Sequence, residues 1–347
     1  MQTSVATKIQ DGAFIPAHPL ALTKDKKIDE YAQRRLTRYY IKAGVGGIAV
    51  GVHTTQFEIH DDLTLYQRVL TLAAEEMNQH APDDFIRIAG VSGELQAALQ
   101  EAEIAKSLGY HAILLSNNGL HHVSEEGLLT RAEEVAQVLP IIGFYLQPAV
   151  GGRIFSYAYW QKFAEIDRMI AIKMAPFDRY LTIEVARAVL HSSRREQIAL
   201  YTGNDDNIVN DLFTTFTEEV DGVLQSKRIV GGLLGHWSVW THTAVALFEQ
   251  IKAARNLEQM DIKWHTIAQQ VTDSNAAFFD SRHQFKGSIA GINEVLRRQG
   301  LLQGNWCLSE KEVLSVGQAE EIDRVYRLYP QLHDDAFVEQ FLQQDNE

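Results

Sequence analysis

The sequence predicts an α/β fold, a (β/α)8 TIM barrel with a C-terminal helical extension. Three observations carry that expectation. Short apolar runs alternate with amphipathic stretches eight times between residues 13 and 255, the pattern of strands each followed by a helix. No GxGxxG loop follows any of these runs, which argues against an open dinucleotide-binding sheet. From about residue 264 onward only helical patterns remain. A barrel takes about 250 residues. The 347 residues therefore divide into a barrel over 1–255, carrying the active site, and helices over 256–347.

AFIPAHP at 13–19 is the first strand; Leu36, Tyr39, Tyr40 and Ala43 mark the helix after it, with Gly44 as its stop. GIAVGV at 47–52 is the second strand and 63–77 its helix. FIRIAGV at 85–91 is the third; Leu95, Ala98, Leu99 and Ala102 share a face of the next helix, which Gly109 ends. HAILLS at 111–116 is the fourth, followed by the loop SNNGLHHVSEEG, in which Ser124 can cap the next helix. PIIGFY at 140–145, MIAIKMAP at 169–176 and QIALYT at 197–202 are the fifth to seventh, with helices over 157–166 and 181–191 between them. IVGGLL at 229–234 is the eighth, leading to a helix over 239–254. Beyond it, 264–280, 285–298, 309–328 and 334–343 read as helices.

Hydrophobic residues make up 46% of the chain and charged residues 22%, ordinary for a soluble protein with a sizeable core. The net charge of −13 argues against nucleic acid or an anionic membrane as partner. An anionic substrate then needs a locally positive site. The single cysteine, Cys307, allows neither an intramolecular disulfide nor a cysteine metal site. The N-terminus has no signal-type apolar region, and the longest glycine-containing apolar run, 43–52, is far short of the roughly 18 residues of a spanning helix. A cytoplasmic protein is expected.

In a barrel the chemistry gathers at the C-terminal ends of the strands. Those ends carry His18; His53, Thr54 and Thr55; Asn117, Asn118, His121 and His122; Tyr145; Lys173; Gly203, Asn204, Asp205 and Asp206; and His236, Trp237 and Ser238. Lys173 stands out, because a buried ammonium is costly unless it is paired or gives up its proton. It is either a strand-end lysine whose head reaches water or a neutral amine that forms a Schiff base with a carbonyl. Neutrality requires a pKa moved from about 10.4 to about 7–8, roughly 4 kcal/mol, which apolar neighbours such as Ile172 and Met174 can supply by desolvation. Tyr145 precedes Lys173 by one strand–helix unit, so the two are expected side by side, with the phenol shuttling protons. Thr54 and Thr55 offer two hydroxyls and consecutive backbone N–H groups, a seat for a carboxylate.

HTTQFE at 53–58, FYLQP at 144–148, IKMAPFD at 172–178, TGNDD at 202–206 and GHWS at 235–238 follow one another in this order. They resemble, respectively, the Gly-Thr/Ser-Thr-Gly-Glu loop, the Tyr-Asn-x-Pro segment, the Schiff-base lysine strand, the Ser-Gly-Asp-Asp turn and the Gly-x-Ile-Ser turn of one family. It is the dihydrodipicolinate synthase and N-acetylneuraminate lyase superfamily of class I pyruvate-dependent aldolases. IPAHPLALTKDKKID near the start resembles that family's opening strand and helix entry, and the likeness covers about residues 12–255. It implies Lys173 as the imine-forming nucleophile, Tyr145 as the proton shuttle and Thr54 as a relay to Tyr145. Thr55 would hold the carboxylate of a 2-oxo acid, and Gly203 would line the floor with Asn204 beside it on the substrate. Trp237 would present a backbone carbonyl to the lysine. No cofactor or metal is implied, and a homo-oligomer, tetramer or dimer, is.

The departures matter too. His53 and Gln56 replace two family glycines, and Val150 stands where the synthase branch has an arginine, with Arg153 close by. SNNGLHH lacks the tyrosine that synthases lend to a neighbouring subunit, and an insertion separates Asp206 from the eighth strand. These point away from lysine biosynthesis, towards another aldehyde partner or a hydratase or dehydratase reaction on a keto-sugar acid. His18, His53, His121, His122 and His236 map to one rim, as a metal-dependent barrel hydrolase would want. Yet there is no HExxH and no HxH at the first strand; His53, with His121 or His122, is expected on polar groups of the substrate instead. That hydrolase, and a non-catalytic sensor of 2-oxo acids, are the alternatives.

Overall fold

The computed structural model describes residues 1–345; positions 346–347 of the expected C-terminal extension lie outside them. The chain begins with α1 (Thr3–Asp11), β1 (Phe14–Pro16), α2 (Glu30–Ala43), β2 (Gly47–Val50), α3 (Leu63–His80), β3 (Ile86–Val91) and α4 (Leu95–Ser107). It continues through β4 (Ala112–Leu115), α5 (Glu125–Val138), β5 (Ile141–Leu146), α6 (Tyr157–Ala164), β6 (Met169–Ala175), α7 (Arg179–His191) and β7 (Ala199–Thr202). Then come α8 (Ile208–Phe213), β8 (Thr215–Val220), β9 (Val223–Leu234) and α9 (Thr241–Ala254). Four helices end it: α10 (Lys263–Phe278), α11 (Ser288–Arg298), α12 (Gln318–Leu328) and α13 (Asp335–Asp345).

Parallel strands pair in the order β1-β9-β7-β6-β5-β4-β3-β2. A bridge between Ala17 and Ala49, with the His18 N–H donating to the Ala49 carbonyl at 2.8 Å, joins β1 to β2. The chain is a (β/α)8 barrel. Strand residues of one parity, among them Ile15, Ala49, Ile88, Leu114, Phe144, Ala175 and Leu233, fill the interior. Those of the other parity, such as Phe14, Val50, Ala89, Ile113, Tyr145 and Ile172, pack against the helices. Side chains of Asp29, Asp62, Ser124, Ser156 and Asp178 accept backbone N–H groups at the starts of α2, α3, α5, α6 and α7, each contributing about 1 kcal/mol.

Three features differ from the sequence expectation. The N-terminal segment is a helix: Val5 and Ile9, one turn apart, are buried with the barrel interior, and the Tyr201 hydroxyl donates to the Ile9 carbonyl at 2.8 Å. The insertion before the eighth barrel strand consists of α8 and a hairpin in which β8 runs antiparallel to the first half of β9. Asp221 and Gly222, with φ of 51° and 76°, turn the hairpin, as a tight two-residue connection requires. Finally, 309–328 is not one helix. Glu312 accepts the Ile289 and Ala290 N–H groups at 2.9 and 3.3 Å, capping α11, and Gly317 has a φ of 84°. The segment before α12 is thereby committed to a side-chain contact that a continuous helix would break. Similarly, α11 starts at Ser288 because Gln284 and Phe285 lie at φ of 57° and 66°.

Candidate active site

Lys173 lies on β6 between Ala171 and Ala175, which face the barrel interior, so strand alternation points it inward. Its side chain is 6% exposed. On β5 its Cα partner is Phe144, and on β7 it is Tyr201. The ammonium Nζ stands 4.3 Å from the centroid of the Phe144 ring. At Gly203 a Cβ would come within 2.5 Å of the Lys173 Cε, so only glycine lets the lysine through. Burial pushes the Lys173 pKa down, and Asp205 partly opposes it. The same burial pushes the Asp205 carboxyl up. Both shifts favour the uncharged forms.

Around the amine is a cavity of about 40 Å³ lined by His53, Thr54, Gln147, Lys173, Asp205 and Ser288, with Phe144, Leu146, Phe177, Phe279 and Phe285 as apolar wall. Thr54, Gln147, Asp205 and Ser288 are all buried. Buried polar groups are normally hydrogen-bonded. Here, among the described residues, the side chains of His53, Thr54, Gln147 and Ser288 form no hydrogen bond, and Asp205 uses one oxygen only, accepting the His236 N–H at 2.8 Å. The half-buried imidazole of His53 is held neutral, its pKa lowered to about 4 by burial and by the charge of Lys173. Such a set of unused donors and acceptors around one amine suits a small polar ligand carrying a carbonyl. Phe279, Phe285 and Ser288 come from the junction of α10 and α11, so the C-terminal helices roof the site.

A model of the dihydrodipicolinate synthetase family matches residues 12–225, more than half of the chain. The chain belongs to this family. A 4-hydroxy-tetrahydrodipicolinate synthase of Moorella thermoacetica is 28% identical over 200 residues, 57% of this chain and 65% of that protein. The match thus spans less than two thirds of that relative. A dihydrodipicolinate synthase structure from Oceanobacillus iheyensis superposes with a TM-score of 0.73 at 16% identity, over 91% of this chain and 96% of that one. An N-acetylneuraminate lyase structure from Fusobacterium nucleatum, complexed with pyruvate, does so at 0.70 and 19%, over 94% and 98%. At such identities these structures establish the barrel and nothing finer.

Of the residues singled out in the sequence, the structure brings Lys173, Thr54, His53 and Gly203 together at the cavity. Tyr145 does not join them. The register between β5 and β6 shifts by one residue, Ile141 pairing with Met169 but Ile142 with Ala171. The slip exchanges the faces of the strand, and Phe144 takes the place beside Lys173. Tyr145 instead packs outward against Trp160 and Phe155, ring centroids 5.0 and 5.7 Å away, and its hydroxyl accepts the Phe155 N–H at 3.4 Å. The relay from Thr54 to Tyr145 therefore has no geometric basis.

Other expected contacts are also used up internally. The Thr55 hydroxyl donates to the His18 carbonyl at 2.6 Å and accepts the Gly51 and Val52 N–H groups. The Thr55 N–H itself donates to the Val52 carbonyl at 2.8 Å. Asn204 accepts the Phe177 N–H and donates to Asp211, tying β7 to α8. Trp237 stacks on Phe14 at 3.8 Å, and its carbonyl accepts the Thr241 hydroxyl at 2.9 Å. The histidine rim disperses: His18 bonds Thr37 in the core, His236 stacks on Phe278, and His121 and His122 lie on the surface. Arg153 donates to the Val123 carbonyl. Gln147 and Ser288 were missed, and Asp205, though among the strand-end residues, was given no role. The signal for Asp205 was available, since alternation from an inward Gly203 turns Asn204 away and Asp205 back in. For Ser288 there was none, because nothing local tells which loop of a helical extension covers a barrel.

Proposed function

We propose that this chain is a class I aldolase or lyase in which the Lys173 amine condenses with the keto carbon of pyruvate or a related 2-oxo acid. The imine then serves as electron sink for carbon–carbon cleavage or condensation, or for loss of water. One observation carries this reading: a buried lysine, inclined to lose its proton, is the only cation among the described residues lining a cavity whose polar side chains keep free hydrogen-bonding capacity. Family membership supports the same chemistry. Thr54, Gln147 and Ser288 hold the substrate's carboxylate and hydroxyls, His53 meets a further polar group, and Gly203 is the floor. No cofactor enters this scheme. A metal-dependent hydrolase lacks comparable support, because His53 alone of the rim histidines faces the cavity.

The cytoplasmic location and the homo-oligomer belong to the same proposal. No helix among the described residues is long and apolar enough to cross a membrane. Phe144 in place of a phenol beside the lysine favours a second reading, a sensor that binds a 2-oxo acid without turning it over. A pyruvate-release screen over keto-sugar acids separates the two. Release that disappears in Lys173→Ala supports the lyase. Release unaffected by Lys173→Ala would contradict it, and saturable binding without release from any keto-sugar acid would favour the sensor.

A further inference from the structure

Imine formation expels the carbonyl oxygen as water. That oxygen must receive two protons, one that leaves the amine nitrogen and one from an acid. With Tyr145 outside the cavity and Phe144 inside it, no phenol among the described residues lines the cavity to carry them. The hydroxyls of Thr54 and Ser288 and the amide of Gln147 do not titrate near neutrality. His53 is neutral and a poor acid. Asp205 remains. It sits on the turn after β7, its N–H donating to the Gly203 carbonyl at 3.1 Å and one carboxyl oxygen accepting the His236 N–H. The other oxygen has no hydrogen-bond partner among the described residues, and the side chain lines the same cavity as the amine. No ion pair of 4.0 Å or less joins the two groups among the described residues, and both line the one cavity that a substrate carbonyl would enter.

Resting on the imine reading, we propose that Asp205 is the proton carrier for Lys173, a second catalytic residue that shares one proton with the amine. In the uncharged form of the pair, an amine faces a carboxylic acid. The nitrogen lone pair attacks the keto carbon while the acid protonates the carbonyl oxygen, giving a carbinolamine with a charged nitrogen and a carboxylate. The carboxylate removes a proton from that nitrogen. It then returns the proton to the hydroxyl, which leaves as water as the lone pair forms the carbon–nitrogen double bond. The products are iminium, carboxylate and one water, and the proton count closes. The carboxylate is then the counter-ion of the iminium and the base for the later enamine step. Burial of both partners, which lowers the amine and raises the acid, supports this arrangement. Among the described residues the other titratable groups around Asp205 are His53 after β2 and Asp206 next in the chain; His236 meets it through its backbone N–H while its ring stacks on Phe278, and the roof adds Phe279, Phe285 and Ser288, none charged.

The test is the rate at which borohydride traps pyruvate on the full chain, followed against pH. In the wild type the rate is bell-shaped, because the pair is reactive only with one proton between its two members. Asp205→Asn traps about 100-fold more slowly near neutrality, and its profile rises monotonically with pH. A carboxylate that acted only as a neighbouring charge would predict the opposite: removing it lowers the amine further and speeds trapping. Equal or faster trapping by Asp205→Asn overturns the inference while leaving the imine intact. A wild-type profile that climbs with one ionisation and never falls overturns it too, even should the variant fail to fold. A wild-type chain that traps no pyruvate overturns both this inference and the imine reading.

Discussion

Lys173 owes its setting to three neighbours: an aromatic face on β5, a glycine after β7 and Ala175 one pleat further along its own strand. None of them is a counter-ion in contact, so the cost of burying the ammonium falls on the lysine's own pKa. The extra residue in β6, where Ile142 already pairs with Ala171 rather than Ile170, decides which aromatic stands beside it. Tyr145→Phe should therefore trap pyruvate within about twofold of the wild-type rate, with at most ~1 kcal/mol lost from one long hydrogen bond. A drop of two orders of magnitude in trapping would mean that the phenol reaches the amine after all. The lysine, the threonine loop and Gly203 were legible in the sequence because each is an unusual residue at a strand end. Tyr145 was misplaced because a one-residue slip leaves no mark on hydrophobic periodicity when both alternating sets are apolar, as in IIGFYL.

At the level of elements, the strands read well because parallel strands buried on both faces are continuous apolar runs. What escaped was structure fixed by distant partners. α1 is mostly polar; its two large apolar residues gain meaning only against the barrel, where Val5 and Ile9 are 0% and 1% exposed. Burying two such side chains stabilises by about 4 kcal/mol. Deleting residues 1–10 should lower the stability read from a denaturant midpoint by about that amount. An unchanged midpoint would show that the helix merely leans on the barrel. The break before α12 likewise depends on Glu312 reaching α11, a contact invisible to local pattern.

For the molecule as a whole, burial without charge sets the pH response. His18, His53 and His236 all have pKa values lowered from about 6.5 to about 4 by burial. Between those values the unfolded chain holds more protons than the folded one, so stability rises with pH through that window and is lost as pH falls. His111 is lowered to about 4 as well; Asp205, Asp206 and Glu312, raised by burial, work in the opposite direction, but four groups outweigh three. The thermal midpoint should fall steadily from pH 6.5 to pH 4; a flat midpoint would show that these imidazoles stay reachable by water. The barrel and its roof together bury the Lys173 amine beside Thr54, Gln147, Asp205 and Ser288, the arrangement on which the proposed imine depends. It is tested most directly by incubating the protein with pyruvate and borohydride and mapping the adduct by peptide mass. A reduced pyruvyl adduct is expected on Lys173 and none on the Lys173→Ala variant. An adduct on another lysine, or no adduct at all, would contradict it.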